Sequence, residues 1–187
     1  MENKIHSFSL NIDWELIRLI SQIDRFDASW TAIEKKEGQS LKQLKMIATV
    51  RSVGASTRIE GSSMSDEEVE VLLKEIDITK IVDRDSQEVV GYFETLDLIS
   101  ESHEDISITE NSLKNLHNIL MKYSKKDEWH KGDYKQHSNA VEAKLHGGTR
   151  QIIFQTTEAG LPTQDAMRFL IDWYVNDNAT HPLVKLS

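Results

Sequence analysis

The sequence has 187 residues, 39% of them apolar and 28% charged, a balance typical of a water-soluble globular chain of one domain or two small ones. Lys and Arg total 22 against 31 Asp and Glu, and the resulting net charge of −9 argues against non-specific nucleic-acid binding, which depends on cations that neutralise phosphates. Cysteine is absent and no run of roughly 20 apolar residues occurs, so disulfides, cysteine-ligated zinc and a membrane-spanning helix are excluded, and the cytoplasm is the expected compartment.

Two helices are predicted in the first third of the chain. The first runs from about Asp13 to Lys36, since apolar residues recur there every three or four positions and share one face. Gly38 is expected to end it, and Ser40 to cap a second helix that ends at Gly61. The apolar stripe of the first helix is Leu16, Leu19, Ile20, Ile23, Phe26, Trp30 and Ile33. The residues that the second is expected to bury are Leu41, Leu44, Ile47 and Ala48.

Three further helices follow. Ser65 and Glu68 form the sequence pattern of a capping box at the start of a third helix. Residues 76–84 are expected to form a connector, a fourth helix covers about 85–101, and a fifth begins after Thr109. The apolar positions expected on these three helices are Val69, Leu72 and Leu73, then Val89, Phe93, Leu96 and Ile99, then Leu113, Leu116 and Leu120.

After the fifth helix the helical pattern lapses, and a β-hairpin is predicted over about 139–155. Val141, Ala143 and Leu145 alternate with polar residues, two glycines at 147 and 148 suit a turn, and residues 150–155 form the second strand. A last full helix opens at Pro162 and bears Ala166, Phe169, Leu170 and Trp173.

The final residues have the pattern of another helix start. His181 and Pro182 stand where a cap and a first-turn proline are common, but only five residues follow Pro182. A helix of about one turn buries little and does not hold itself together. The sequence is therefore expected to be shortened at this end.

Glu60 is the most informative residue. On a helix, Ser56 lies four residues before it on the same face, and Gly61 takes the position of a left-handed C-terminal cap. Glu60 then occupies the last turn, where exposed carbonyl groups disfavour a carboxylate by roughly 0.3–1 kcal/mol. Arg58 lies two residues away and faces elsewhere. We expect Glu60 to take a cationic partner from another part of the structure; the alternative is a solvated surface glutamate before an ordinary cap.

Residues 56–61 resemble the inhibitory-helix motif of the Fic family of protein adenylyltransferases, Ser/Thr-x-x-x-Glu-Gly/Asn. Further landmarks of that family follow in order. Residues 116–121 resemble its Leu-His-x-x-Leu-Met helix, and residues 132–135 its Gly-x-Tyr-Arg turn, with lysine in place of the arginine. The hairpin resembles the family's flap, and residues 181–184 resemble the opening of the helix that leads into the active site.

The resemblance, which covers residue 40 to the end, implies a mostly α fold: a Fic-like helical bundle with one small β-hairpin, incomplete at the C-terminus. Residues 1–108 are expected to form an N-terminal helical region that contains the inhibitory helix at about 40–61. Residues 109–187 are expected to form the first part of the Fic core, including the flap.

The catalytic signature of the family, His-Pro-Phe-x-Asp/Glu-Gly-Asn-Gly-Arg-x-x-Arg, does not occur in these 187 residues. In the family it supplies the general base, the acid that holds Mg²⁺ and the arginines for phosphate charge. The resemblance therefore implies transfer of AMP from ATP, with Mg²⁺, to a hydroxyl side chain of a target protein by an intact family enzyme. The chain alone is expected to be inactive, with no catalytic or metal-ligating residue and no cofactor of its own.

Two sites are implied by the resemblance. It assigns Ser56, Glu60 and Gly61 to an inhibitory position near the nucleotide, with Glu60 paired to the second arginine of the signature. In relatives the flap docks a target segment as an added strand; a structural hairpin with Ile153 and Phe154 buried is the alternative. The flap positions are Gln151, Ile152, Ile153 and Phe154.

Other functions remain open at this point. A non-enzymatic helical interaction or inhibitor module would act on a separate catalytic chain, and a plain helical adaptor would not involve nucleotides. A homodimer is a further possible assembly, whereas nucleic-acid and membrane partners are not expected.

Overall fold

A computed structural model describes residues 12–76, 81–126, 128–144 and 148–186. This part of the chain is mostly helical with one two-stranded antiparallel sheet, as the sequence predicted. The helices are α1 (Trp14–Ile59), α2 (Asp66–Lys74), α3 (Arg84–Ser102), α4 (Glu110–Leu120), α5 (Leu161–Asn176) and α6 (Pro182–Lys185), with a 3₁₀ turn at Glu128–His130. The strands are β1 (Ala140–Lys144) and β2 (Arg150–Gln155). None of the helices described is long and apolar enough to cross a bilayer.

The described residues form two compact units. One contains residues 12–46 and 182–186, and the other contains residues 47–181. The second unit holds the end of α1, helices α2 to α5 and the hairpin.

The two helices predicted in the first third are one continuous helix, α1. The predicted helix end at Gly38 and the predicted cap at Ser40 are therefore wrong. A glycine inside a helix loses only about 1 kcal/mol relative to alanine. Strong helix formers occupy residues 41–46 and no proline interrupts them, so the backbone hydrogen-bond ladder continues through this weak point.

The buried face of α1 also differs from the prediction. Leu44, Ile47 and Ala48 are exposed, whereas Val50 and Val53 are buried. The periodicity identified a helical face but not where along it the other helices pack. The buried core consists of Val50, Val53, Val69 and Val89, with Met64, Leu72, Leu73, Tyr92, Phe93 and Leu96 packed against it.

Three predicted helix starts are confirmed by their caps. The Ser65 hydroxyl accepts a hydrogen bond from the Glu68 N–H at 3.2 Å, and the Glu68 carboxylate accepts one from the Ser65 N–H at 2.8 Å. Asp83 caps α3 by accepting from the Ser86 N–H at 2.9 Å, and Thr109 caps α4 in the same way. Each side chain satisfies a backbone donor that the first helical turn leaves free. Of the predicted connector, residues 77–80 lie outside the described residues.

The predicted hairpin is confirmed as an antiparallel pair of β1 and β2. Ala140 pairs with Gln155 and Lys144 with Arg150, and the register shifts by a bulge after Val141. Of the predicted turn, Gly148 has a φ of +83°, whereas Gly147 lies outside the described residues, as does Leu145 of the predicted first strand.

Helix α5 exposes the residues that the sequence pattern singled out. Phe169, Leu170 and Trp173 are exposed, while Ile171 and Tyr174 are half-buried. The apolar stripe of α5 therefore points away from the residues packed against the helix in this structure.

Candidate functional site

Helix α1 ends in a left-handed turn at Gly61, whose φ is +102°. The Gly61 N–H donates to the Arg58 carbonyl at 3.1 Å, and the Ser62 N–H donates to the Thr57 carbonyl at 3.0 Å. These two bonds define a Schellman motif. A Cβ at Gly61 would meet no atom within 4 Å, so the backbone angle, not crowding, favours glycine here. The cap expected at this position is confirmed.

Glu60 is the last residue before that turn, and its side chain is exposed. Among the described residues its carboxylate has no hydrogen-bond or ion-pair partner. Arg58 binds elsewhere, as the sequence predicted: its guanidinium donates to the Met64 carbonyl at 3.0 Å and to the Asp66 carboxylate at 2.9 Å. The described residues thus supply no cationic partner for Glu60, which lies exposed at the carbonyl end of the helix as the alternative of a solvated glutamate has it.

The turn that follows Glu60 is held to the start of α3. The Asp85 carboxylate accepts hydrogen bonds from the Ser63 N–H and from the Ser63 hydroxyl, both at 2.7 Å. These bonds, the backbone one first, lower the pKa of Asp85 because they stabilise its charged form. The segment carrying Glu60 is thus fixed by Arg58 on one side and by Ser63 on the other, while the Glu60 carboxylate itself stays unengaged.

A cavity of about 540 Å³ lies beside the end of α1. Ser56 and Glu60 both line it, which confirms that they share one face. The remaining lining residues are Thr57, Ile59, Arg84, Glu88, Tyr92, Leu120 and Met121. Sequence reasoning did not associate the α3 and α4 residues with Glu60, because nothing in their spacing indicates which helix they face.

Arg84 is the basic residue that lines this cavity, and it is engaged with Glu88. The Arg84 Nε donates to the Glu88 Oε1 at 2.6 Å. The other carboxylate oxygen of Glu88 is buried without a hydrogen-bond partner in the described residues. With two glutamates and one arginine, the cavity lining has an excess negative charge, which favours a positively charged group.

Gly91 allows α3 to pack closely against the end of α4, where two of the residues that line the cavity lie. A Cβ at this position would lie 2.1 Å from the carbonyl oxygen of Leu120, so only glycine permits the contact. Leu120 and Met121, at the end of α4, reach the cavity as a result. A glycine inside a helical pattern was the available signal for such close packing.

Residues 132–135, which resemble the Fic turn, form hydrogen bonds with α4, next to a contact between α4 and α5. The Gly132 N–H donates to Nδ1 of His117 at 3.1 Å, which gives His117 a structural role in this turn. The Tyr134 hydroxyl donates to Glu110 at 2.8 Å, and Arg168 lies 3.6 Å from the same carboxylate. Burial, and then the bond to Glu110, raises the pKa of Tyr134 to about 12.

The predicted flap residues lie on β2 and do not line the cavity. Ile153 is 66% exposed and Phe154 is 61% exposed, so the alternative in which both are buried is wrong. Within the described residues, β2 pairs only with β1, which leaves its other edge open to a further strand.

No group of three or more His, Asp or Glu side chains suited to a metal ion occurs in the described ranges. No protein-family model and no curated protein matches this chain.

Proposed function

We propose that this chain is the regulatory and scaffolding part of a self-inhibited, Fic-type protein adenylyltransferase. The observation that carries the proposal is the Glu60 carboxylate, which has no partner among the described residues and shares a cavity with Ser56. A helix end disfavours this charge, so a cation supplied by another polypeptide segment would stabilise it. In the family pattern, that cation is the second arginine of the signature, and the pairing holds it away from the γ-phosphate of ATP.

The reaction so regulated joins a hydroxyl side chain of a target protein to AMP. The hydroxyl oxygen attacks the α-phosphorus of ATP, pyrophosphate leaves, and a general base takes the hydroxyl proton. The signature histidine that acts as this base in the family is not among these 187 residues. We therefore propose that the groups that perform the transfer belong to another segment, and that this chain by itself transfers no AMP.

The hairpin has a separate role in this proposal. An open strand edge with exposed side chains is suited to dock an extended target segment, since main-chain hydrogen bonds give affinity with little sequence dependence. The Fic resemblance of the hairpin supports the same assignment. The absence of cysteine and the use of ATP by the proposed enzyme both favour the cytoplasm as its compartment.

Replacement of Glu60 tests the proposal directly. The wild-type chain joined to a signature-bearing segment is compared with its Glu60→Gly variant for incorporation of labelled AMP into protein. We expect Glu60→Gly to raise incorporation, because the arginine is released to bind the γ-phosphate. Glu60→Gln, which keeps the shape and removes the charge, is expected to act in the same direction.

Glu75 provides a matched control, because it is also a glutamate at a helix C-cap, at the end of α2. Glu75→Gly should leave AMP incorporation unchanged. Equal rates for wild type and Glu60→Gly would reduce Glu60 to a solvated surface residue. Labelling by the 187-residue chain alone would show that the transfer groups lie within it, contrary to the proposal.

A further inference from the structure

The first half of α1 carries a heptad pattern in addition to its general amphipathic character. Six apolar residues between positions 16 and 33 are separated alternately by three and four positions, which is an average repeat of 3.5 residues. A repeat of about 3.5 keeps one seam facing a partner helix along its whole length, whereas a helix packed in a globular core follows about 3.6. The residues at these a and d positions, named together the seam, are Leu16, Leu19, Ile23, Phe26, Trp30 and Ile33.

The structure leaves this seam largely uncovered. Ile23 is 50% exposed and Phe26 is 58% exposed, and Leu16 alone among the seam residues is half-buried. The Phe26 and Trp30 rings contact each other at a centroid distance of 5.6 Å, so they form one continuous apolar surface. A monomer rarely exposes a contiguous apolar surface of this kind unless it is an interaction site.

We propose that the seam packs against the same seam of a second copy of this chain. The two aromatic and four aliphatic side chains of the seam leave on the order of 500 Å² to bury in each copy. A specific interface buries at least about 1,000 Å² in total over both partners, so a helix pair along this seam reaches the lower limit and fits a dimer that dissociates on dilution.

The order of residues along the seam is suited to a symmetric pair. In an antiparallel arrangement centred between residues 24 and 25, Leu16 meets Ile33 of the other copy, Leu19 meets Trp30, and Ile23 meets Phe26. An a position faces a d position in every layer, and the two-fold axis lets each copy present the same surface. Charged residues are absent from all of these layers. The inference does not depend on the proposed AMP transfer.

The test is the molecular mass of the 187-residue chain in solution, measured by sedimentation equilibrium from low to high micromolar concentration. We expect a dimer that dissociates on dilution, since one copy has a mass of 21.4 kDa. Ile23→Lys places an unpaired charge in the centre of the seam, and we expect it to lower the association constant by on the order of 100-fold or more. Ala28→Lys is the matched control, because it adds the same charge on the opposite face of α1 and should leave the dimer intact.

Far-ultraviolet circular dichroism shows whether each variant keeps the helix, and Leu19→Lys replaces Ile23→Lys if the latter loses helicity. A wild-type chain that stays monomeric throughout the concentration range overturns the proposal. The proposal is also overturned if a seam variant has the same association constant as wild type. It is likewise overturned if the seam variant and Ala28→Lys weaken the dimer equally.

Discussion

Gly91→Ala should destabilise the fold, although alanine is the better helix former. A Cβ at Gly91 of α3 would stand 2.1 Å from the carbonyl oxygen of Leu120, whereas ordinary contacts of a Cβ begin at 3.4 Å. The two backbones must therefore separate by 3.4 − 2.1 = 1.3 Å. A carbonyl group at the end of α4 cannot rotate aside as the tip of a long side chain can.

The size of the effect follows from two opposed contributions. Overpacking destabilises by about 1–3 kcal/mol, and the upper value applies because the obstacle is backbone. The higher helix propensity of alanine offsets this loss by about 1 kcal/mol in free energy of unfolding. The net loss in free energy of unfolding is then roughly 2 kcal/mol, or a fall in Tm of roughly 4–8 °C. Because Leu120 lines the cavity, the same variant should also displace part of the wall of the cavity that Glu60 lines.

Gly38→Ala is the control for this prediction. Gly38 also lies inside a helix, but a Cβ there would meet nothing within 4 Å. The same substitution should therefore stabilise the chain by about 0.5–1 kcal/mol. Urea unfolding followed by circular dichroism measures both variants. The reasoning is refuted if Gly91→Ala is as stable as wild type, or if Gly38→Ala is destabilised equally.

Two further predictions concern pH. Hydrogen bonds from Ser63 lower the pKa of Asp85 in the folded chain, so its contribution to stability is complete above the unfolded pKa of about 3.9 and is lost as the pH falls through the lower folded pKa. Asp85→Asn should thus lower the free energy of unfolding at neutral pH, and the difference in this free energy between variant and wild type should become smaller below about pH 4. Urea unfolding at several pH values measures this difference, and a difference that does not change with pH would contradict the prediction. The folded pKa of Tyr134 is raised to about 12, so the stability linked to its neutral form is lost as the pH rises from about 10 toward that value. Phenolate absorbance should show a step near pH 12 that Tyr134→Phe removes, and an unchanged titration would disprove the assignment.

Side-chain hydrogen bonds hold the turn on both sides of Glu60, but none of them involves the Glu60 carboxylate. Arg58 and Ser63 anchor the turn on either side, through Asp66 and Asp85. These bonds fix the turn that carries Glu60, and the exposed Glu60 carboxylate is the group to which the regulatory role is proposed above.

Local interactions made part of this structure predictable from the sequence. The Ser65 capping box, the helix start after Thr109 and the left-handed turn at Gly61 each involve groups within a few residues of one another. The Asp83 cap is equally local, but it was not predicted. The β-hairpin is similarly local, because its two strands are close in sequence. The shared face of Ser56 and Glu60 follows from helix periodicity alone.

Contacts between residues far apart in the chain decided the rest. The continuity of α1 through Gly38 depended on a balance of about 1 kcal/mol that no single residue signals. Burial of Val50 and Val53 in place of Ile47, and the meeting of Glu88 with Glu60 at one cavity, depend on how α1 and α3 pack. Helix periodicity specifies which residues lie on the same face of a helix. It does not specify which turns along that face are buried, because burial requires a second helix or strand at packing distance, and only the tertiary structure provides one.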